Sequence, residues 1–233
     1  MSKKENDLEY EVLSETFNDY DLSYKIIVIG DSGVGKSCLT TRGTKNHYDE
    51  YYSPTVGFDF FSFNIRINDK NIKLQIWDTC GQEEYKSLIS SFYRNSSLAI
   101  ITYAINNRQS FNNIEAWLNE IKTQASPDTK IFLIGTKIDL NEERTIPTEV
   151  AKDFSKEHGF NYFIETSAKT GDNAQEVFIQ AAKQLYLFHF EYKDRASRLS
   201  SIIPTPYQEL NSHILLGDDD EDNKPRKKKG CCQ

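Results

Sequence analysis

The stretch YKIIVIGDSGVGKSCL, Tyr24 to Leu39, decides the fold. Four apolar residues, Ile26 to Ile29, run into a glycine-rich turn that ends in Lys36 and Ser37. A continuous apolar run of this length suits a strand buried on both faces of a mostly parallel sheet. Gly30 to Ser37 reads GDSGVGKS and fits the pattern G-x-x-x-x-G-K-[ST]. Nucleotide phosphates crowd several negative charges together. Successive backbone N–H groups cradle such a group where glycine lets the chain turn sharply. The positive end of a helix starting just after the loop adds to the attraction. Lys36 is expected to reach the outer phosphates and the Ser37 hydroxyl to ligate Mg2+. Asp31, Ser32, Gly33, Val34, Gly35 and Cys38 are expected to line the bound nucleotide with them. The motif needs a strand before it and a helix after it, and Ile26–Ile29 and KSCLTTRGT supply both.

Outward from this loop, short apolar runs alternate with helical patterns. Strands are predicted over 24–29, 58–67, 72–77, 98–103, 130–135 and 161–165. Helices are predicted over 36–45, 85–93, 108–124, 147–158 and 172–190. SFNIRIND alternates with period two, and NDKN after it signals a hairpin turn. Strands alternating with helices give an α/β fold with helices on both faces of the sheet.

The ends differ from this core. Residues 1–23 carry seven Asp or Glu against two Lys and read as a disordered acidic extension. Beyond about residue 191 the helical pattern decays into a tail with five consecutive acids, Asp218–Asp222, then the basic run KPRKKK. The predicted organisation is therefore an extension over 1–23, one domain over 24–190 and a flexible tail over 191–233. No stretch approaches the 18 apolar residues that signal a transmembrane helix. Four scattered cysteines do not make a disulfide framework and suit a reducing compartment. A net charge of −7 argues against general nucleic-acid binding.

Three further constellations bear on which nucleotide is bound. In TKID, Thr136 to Asp139, a carboxylate after a strand can accept from guanine's ring N–H and its amine together. Adenine lacks that pair of donors, and sites built on such bonds discriminate by about 10⁴–10⁵. Lys137 is expected to lie along the base and steady the loop. In ETSAK, Glu165 to Lys169, backbone N–H groups around Ser167, Ala168 and Lys169 are expected to meet the guanine carbonyl. In IWDTCGQE, Ile76 to Glu83, Asp78 ends an apolar strand and is expected to hold Mg2+ through water. Gly81 permits close approach to the terminal phosphate, and Gln82 is expected to orient the attacking water.

Together these residues resemble the Ras superfamily of small GTPases over roughly residues 24–190, and the Rab family within it. TVGFDFFSF resembles the Rab segment between the first switch and the second strand. KLQIWDTCGQEEYKSLISSFYRNSSLAIITYAINNRQSFNNIEAWL resembles the Rab second switch and the chain beyond it. The resemblance implies a P-loop GTPase fold with a six-stranded, mainly parallel sheet and five flanking helices. It implies a molecular switch in vesicle traffic that hydrolyses GTP to GDP with Mg2+. Thr55, eighteen residues after Ser37, falls on the first-switch threonine that binds Mg2+ and the γ-phosphate. Tyr48 falls where an aromatic residue meets guanine. Phe60, Trp77 and Phe92 resemble the hydrophobic triad that contacts effectors. Two positions depart from the family: Thr136 stands where Asn is usual, and Cys80 where Ala is usual.

The terminal Cys231 and Cys232 imply Rab-type geranylgeranylation, although Gln233 comes after them. A Caa-X site would need Cys at Gly230. Two lipid chains, or one plus a basic patch, hold a membrane where a single chain holds marginally. Implied partners are an exchange factor, a GTPase-activating protein, effectors, an escort protein, a dissociation inhibitor and a membrane, with no nucleic acid. The implied form is a monomer at the cytoplasmic face of an intracellular membrane, cycling with cytosol. Two other readings stay open: a nucleotide-locked scaffold without hydrolysis, and an ATP-using P-loop enzyme.

Overall fold

The computed structural model describes residues 8–50, 55, 57–81 and 92–202, with side chains through Glu191. The chain divides into two compact units, Met1–His189 and Phe190–Gln233. Gln82, the helix expected over 85–93 except for its last two residues, and Cys231 and Cys232 lie outside the described residues.

Seven strands form one sheet: β1 (Tyr10–Val12), β2 (Leu22–Gly30), β3 (Phe58–Ile67), β4 (Lys70–Thr79), β5 (Leu98–Ala104), β6 (Lys130–Thr136) and β7 (Tyr162–Glu165). The helices are α1 (Lys36–Lys45), α2 (Arg108–Asn112), α3 (Ile114–Gln124), α4 (Thr148–Glu157) and α5 (Ala174–Ile202), with a 3₁₀ turn over Ile138–Glu143. The order across the sheet is β1-β3-β4-β2-β5-β6-β7. Strands β4, β2, β5, β6 and β7 run parallel, while β1 and β3 are antiparallel to their neighbours.

β2 lies at the centre because its apolar run can be buried on both sides. Ile26 and Val28 join the core on one face, with Phe178 and Leu185 of α5. Ile27 and Ile29 join the other, with Leu118 and Ile121 of α3. All four are fully buried, each contributing about 1.5–3 kcal/mol relative to exposure. β4 and β5 flank β2 on opposite sides, so the chain changes direction across the sheet there. Ligands of open α/β sheets bind outside the carboxyl ends of the strands at such a point.

Four expectations are corrected. The sheet has seven strands where six are predicted, because Tyr10–Val12, inside the expected disordered extension, form β1, and Leu22–Ser23 already begin β2. β1 pairs with the edge of β3, with Tyr10 opposite Ile67. The buried Asn64 amide donates to the carbonyls of Ser14, Glu15 and Phe17, at 2.9, 3.2 and 3.1 Å. The acids that suggest disorder are matched by cations: Glu11 with Arg66, Glu15 with Lys45, and Asp21 with Lys70. The predicted helix over 108–124 is two, broken at Asn113, which ends α2 and begins α3. The last helix does not stop at 190 but runs to Ile202, since SRLSS contains nothing that forbids helix. No described helix is long and apolar enough to cross a membrane.

Candidate functional site

The loops after β2, β4, β6 and β7 converge on one cavity in the first unit. Its end beside Lys36 has a volume of about 330 Å³ and is lined by Ser32, Gly33, Lys36, Ser37, Thr55, Cys80 and Gly81 among others. Its other end, about 300 Å³, is lined by Asp139, Leu140, Ala168, Lys169 and Thr136 among others. Gly35, Cys38, Tyr48 and Lys137 line both, so the two ends are continuous.

At the Lys36 end, Gly35 precedes α1 at φ 97°, a left-handed turn that side-chain-bearing residues rarely adopt. The helix N-terminus is thereby turned toward the cavity. Lys36 is 5% exposed and folds back on its own loop, donating to Gly30 O at 2.9 Å and Asp31 O at 2.8 Å. Burial pulls its ammonium down to about 8, against the charges of Asp78 and Asp31 that favour it. Gly81 packs against the same place. A Cβ there would fall 2.5 Å from Lys36 Nζ and collide with the Asp31–Ser32 peptide.

Asp78 is the exceptional group. It is fully buried, and neither carboxylate oxygen has a hydrogen-bond partner among the described residues. Burial pushes its carboxyl up to about 7, Asp59 adds to the push, and Ser37 and Lys36 oppose it. The Ser37 hydroxyl is nevertheless paired with Thr55, Oγ to Oγ1 at 2.7 Å. A buried carboxylate without partners is costly unless a cation compensates it. Carboxylate and hydroxyl oxygens are the donors that a hard ion such as Mg2+ accepts, with water and phosphate completing the set. Ser37, Thr55 and Asp78 therefore fit the ion that the sequence implies.

At the other end, the 3₁₀ turn presents Asp139 at the rim, and Ser167 Oγ donates to its Oδ1 at 2.5 Å. Thr136 is 3% exposed and its hydroxyl faces two carbonyls, Val34 O at 2.5 Å and Tyr103 O at 3.0 Å. Lys137 Nζ donates to Gly33 O at 2.7 Å. The loop over Thr136–Asp139 is thus tied to the loop over Gly30–Ser37 twice. Lys169 pairs with Glu50 at 3.6 Å across the mouth. Beneath the loop, Arg144 forms a two-pronged pair with Glu165, at 2.8 and 3.0 Å.

Three expected contacts change character. The Val34 side chain is buried in the protein, so only its backbone faces the loop. Ser167 is fully buried and acts on Asp139. The Asp31 side chain turns away, its Oδ2 accepting from Asn113 Nδ2 at 2.7 Å and its Oδ1 from the Trp117 indole N–H at 2.8 Å. Asn113, Trp117, Arg144 and Glu165 escaped the sequence reading as site residues, because nothing in their local pattern marks a partner so distant in the chain. Away from the cavity, Phe60, Trp77 and Phe92 do assemble, with ring centroids 5.3 and 5.1 Å apart in sequence. Phe58 joins them, 5.3 Å from Trp77 and 4.7 Å from Phe92.

A model of the Ras family matches residues 25–187. This chain belongs to the Ras family. Ras-related protein RABD2a of Arabidopsis thaliana is 46% identical over 161 residues, 69% of this chain and 79% of its own. GTP-binding protein YPTM2 of Zea mays is 44% identical over 167 residues, 72% and 82% of the two chains. Ras-related protein YPTC6 of Chlamydomonas reinhardtii is 38% identical over 215 residues, 92% and 97%. Among Ras-family proteins it is a Rab-like small GTPase, and the enzyme class is GTP hydrolase. The match begins at Lys25, after β1, so the added strand lies outside the region that this Ras-family chain shares with the family model.

Proposed function

We propose that this Rab-like GTPase lays the phosphates of GTP against residues 31–38 and guanine against Asp139, and cycles between GTP and GDP forms to recruit effectors to membranes. The observation that carries the site assignment is Asp78: a fully buried carboxylate without partners among the described residues, beside the paired hydroxyls of Ser37 and Thr55.

Each residue has a task. Lys36 keeps its bonds to the Gly30 and Asp31 carbonyls and turns its third N–H to the outer phosphates, neutralising them. Backbone N–H groups from Gly33 to Cys38 hold the remaining phosphate oxygens. Ser37, Thr55 and Asp78 would hold Mg2+, which supplies charge neutralisation at the phosphates. Gln82 orients water for in-line attack on the terminal phosphorus, and Gly81 leaves room for that phosphate. Asp139, held by Ser167, accepts from guanine's two donors, while Ala168 and Lys169 offer backbone N–H groups to its carbonyl. Tyr48 and Lys137 flank the base. Neither end of the cavity is lined by an arginine among the described residues. Intrinsic turnover is therefore slow, and an activating protein supplies the missing charge, a contribution of about 10³–10⁵ in rate.

The rings of Phe60, Trp77 and Phe92 form the effector-facing surface. Geranylgeranyl groups on Cys231 and Cys232, with the basic run before them, hold the chain on a membrane, and an escort protein and a dissociation inhibitor carry it through cytosol. The deciding experiment is nucleotide competition with Mg2+ on wild type and Asp139→Asn. Wild type should prefer GTP over ATP and XTP, and the variant should turn toward XTP, whose 2-position carries a carbonyl. Undiminished guanine preference in the variant would remove Asp139 from its role. A wild type that ignores guanine nucleotides would remove the whole reading.

A further inference from the structure

We propose that Trp117 and Asn113, on the α2–α3 corner, are positioning residues for phosphoryl transfer, acting through the Asp31 carboxylate. The inference rests on the GTPase reading and adds to it a lever outside the cavity.

Asp31 is the hub. Its backbone carbonyl accepts from Lys36 Nζ at 2.8 Å, and its peptide link to Ser32 is the wall against which Gly81 packs. The lysine that meets the phosphates and the glycine that leaves room for the terminal one thus share one support. A displaced Asp31 displaces both. The loop's own glycines, Gly30, Gly33 and Gly35, all at positive φ, give it little rigidity from within.

What fixes Asp31 comes from elsewhere in the chain. Each carboxylate oxygen receives one donor: Asn113 Nδ2 at 2.7 Å and the Trp117 indole N–H at 2.8 Å. Hydrogen bonds to an ionised acceptor are shorter and roughly twice as strong as neutral ones. The donors are themselves oriented. Asn113 Oδ1 accepts from Gln109 Nε2 at 2.9 Å, which turns its N–H₂ toward Asp31. Trp117 is 7% exposed and packs in the apolar cluster under α3, so its indole has little freedom to turn. The break between α2 and α3 places Asn113 at the corner with its side chain not engaged in capping α3.

Trp117→Phe keeps an aromatic ring in the cluster and deletes the N–H, at the cost of the indole's second ring, so its midpoint is read beside that of Asn113→Ala, which opens no core cavity. Asn113→Ala deletes the other donor. Both are made in the full chain and assayed for single-turnover GTP cleavage, GTP and GDP dissociation, and thermal midpoint at fixed nucleotide and Mg2+. Cleavage should fall about ten- to a hundredfold in each, the range that misplacement of about 1 Å produces. Dissociation constants should stay within about threefold of wild type and the Asn113→Ala midpoint close to it. Because both donors hold one carboxylate, the double variant should lose less than the product of the two single losses. Wild-type cleavage in both single variants would overturn the proposal. So would parallel loss of cleavage, affinity and midpoint, which marks a purely structural contact. A wild-type chain that cleaves no GTP would overturn the underlying GTPase reading as well, and the wild-type lane alone reveals that case.

Discussion

Arg144→Met would test how far the Arg144–Glu165 pair supports the loop that follows β7. Arg144 and Glu165 are 19% and 11% exposed at the side chain, and their pair is two-pronged at 2.8 and 3.0 Å. Removing one member of a buried pair typically costs about 3–5 kcal/mol, because the remaining charge is left uncompensated. Here the loss is smaller. Thr148 Oγ1 still donates to Glu165 at 2.9 Å, and the Tyr103 hydroxyl approaches at 3.4 Å. With those donors retained and some solvent access, we expect about 2–3 kcal/mol. For a domain of this size that is a fall of about 4–12 °C in Tm. The assay is thermal unfolding at fixed GDP and Mg2+, since bound ligand raises apparent stability. Glu165 leads directly into Thr166–Ala168, so GDP dissociation should accelerate in the same variant. The double variant Arg144→Met, Glu165→Leu should recover most of the midpoint, because it leaves no buried charge alone. A single variant that loses less than about 1 kcal/mol would refute the claim that this pair is buried and coupled.

Three other perturbations have defined outcomes. Thr136→Val removes the one proton that reaches Val34 O and Tyr103 O, and Thr136→Asn offers two; GDP dissociation should rank Val above Thr above Asn, with about fivefold per hydrogen bond. Equal rates across the series would show that the tie does not govern release. Asn64→Ala should cost about 1–3 kcal/mol and free the Leu13 and Phe17 amides, read by hydrogen exchange. Unchanged protection there would mean the turn holds itself. Tyr24 has a hydroxyl without a partner among the described residues, and burial raises it from 10.0 to about 12. The folded state thus favours the neutral phenol: its contribution is complete below about pH 10 and is lost as pH rises from about 10 to 12. Tyr24→Phe should reduce that alkaline slope and leave stability at about pH 7 unchanged or higher, and a slope identical to wild type would contradict the burial argument.

The sequence made the nucleotide end of this molecule legible because its chemistry is local. Gly30 to Ser37 sets a turn, a charge and a hydroxyl within eight residues, and the fold places them as spacing requires. Asp78, Asp139 and Ala168 were legible as strand-end residues, since each apolar run ends at the same edge of the sheet. What stayed hidden depends on pairs far apart in the chain. Asp31 and Trp117 are bonded across 86 residues, and Asn64 and Ser14 across 50. Composition misled at the N-terminus for the same reason. Acids count as disorder-promoting until the cations opposite them are known, and Arg66, Lys45 and Lys70 all lie on other elements. The helix break at Asn113 carries a weak local sign, an Asn beside another Asn, which the strong apolar period on either side conceals.

The partial cover that β1 gives β3 bears on self-association. β1 lies opposite Ile65 to Ile67 only, so among the described residues the Phe58–Phe63 half of that strand keeps an open edge. Unpaired strand edges are templates for other chains, and charge on the outermost strand discourages such growth. Glu9 and Glu11 guard the short outer strand at one end of the sheet margin, whereas the open half carries Phe58 and Phe60, 41% and 51% exposed. At high concentration, intermolecular strand addition should therefore begin at Phe58–Phe63, and any partner seated on those rings would act as an antiaggregant.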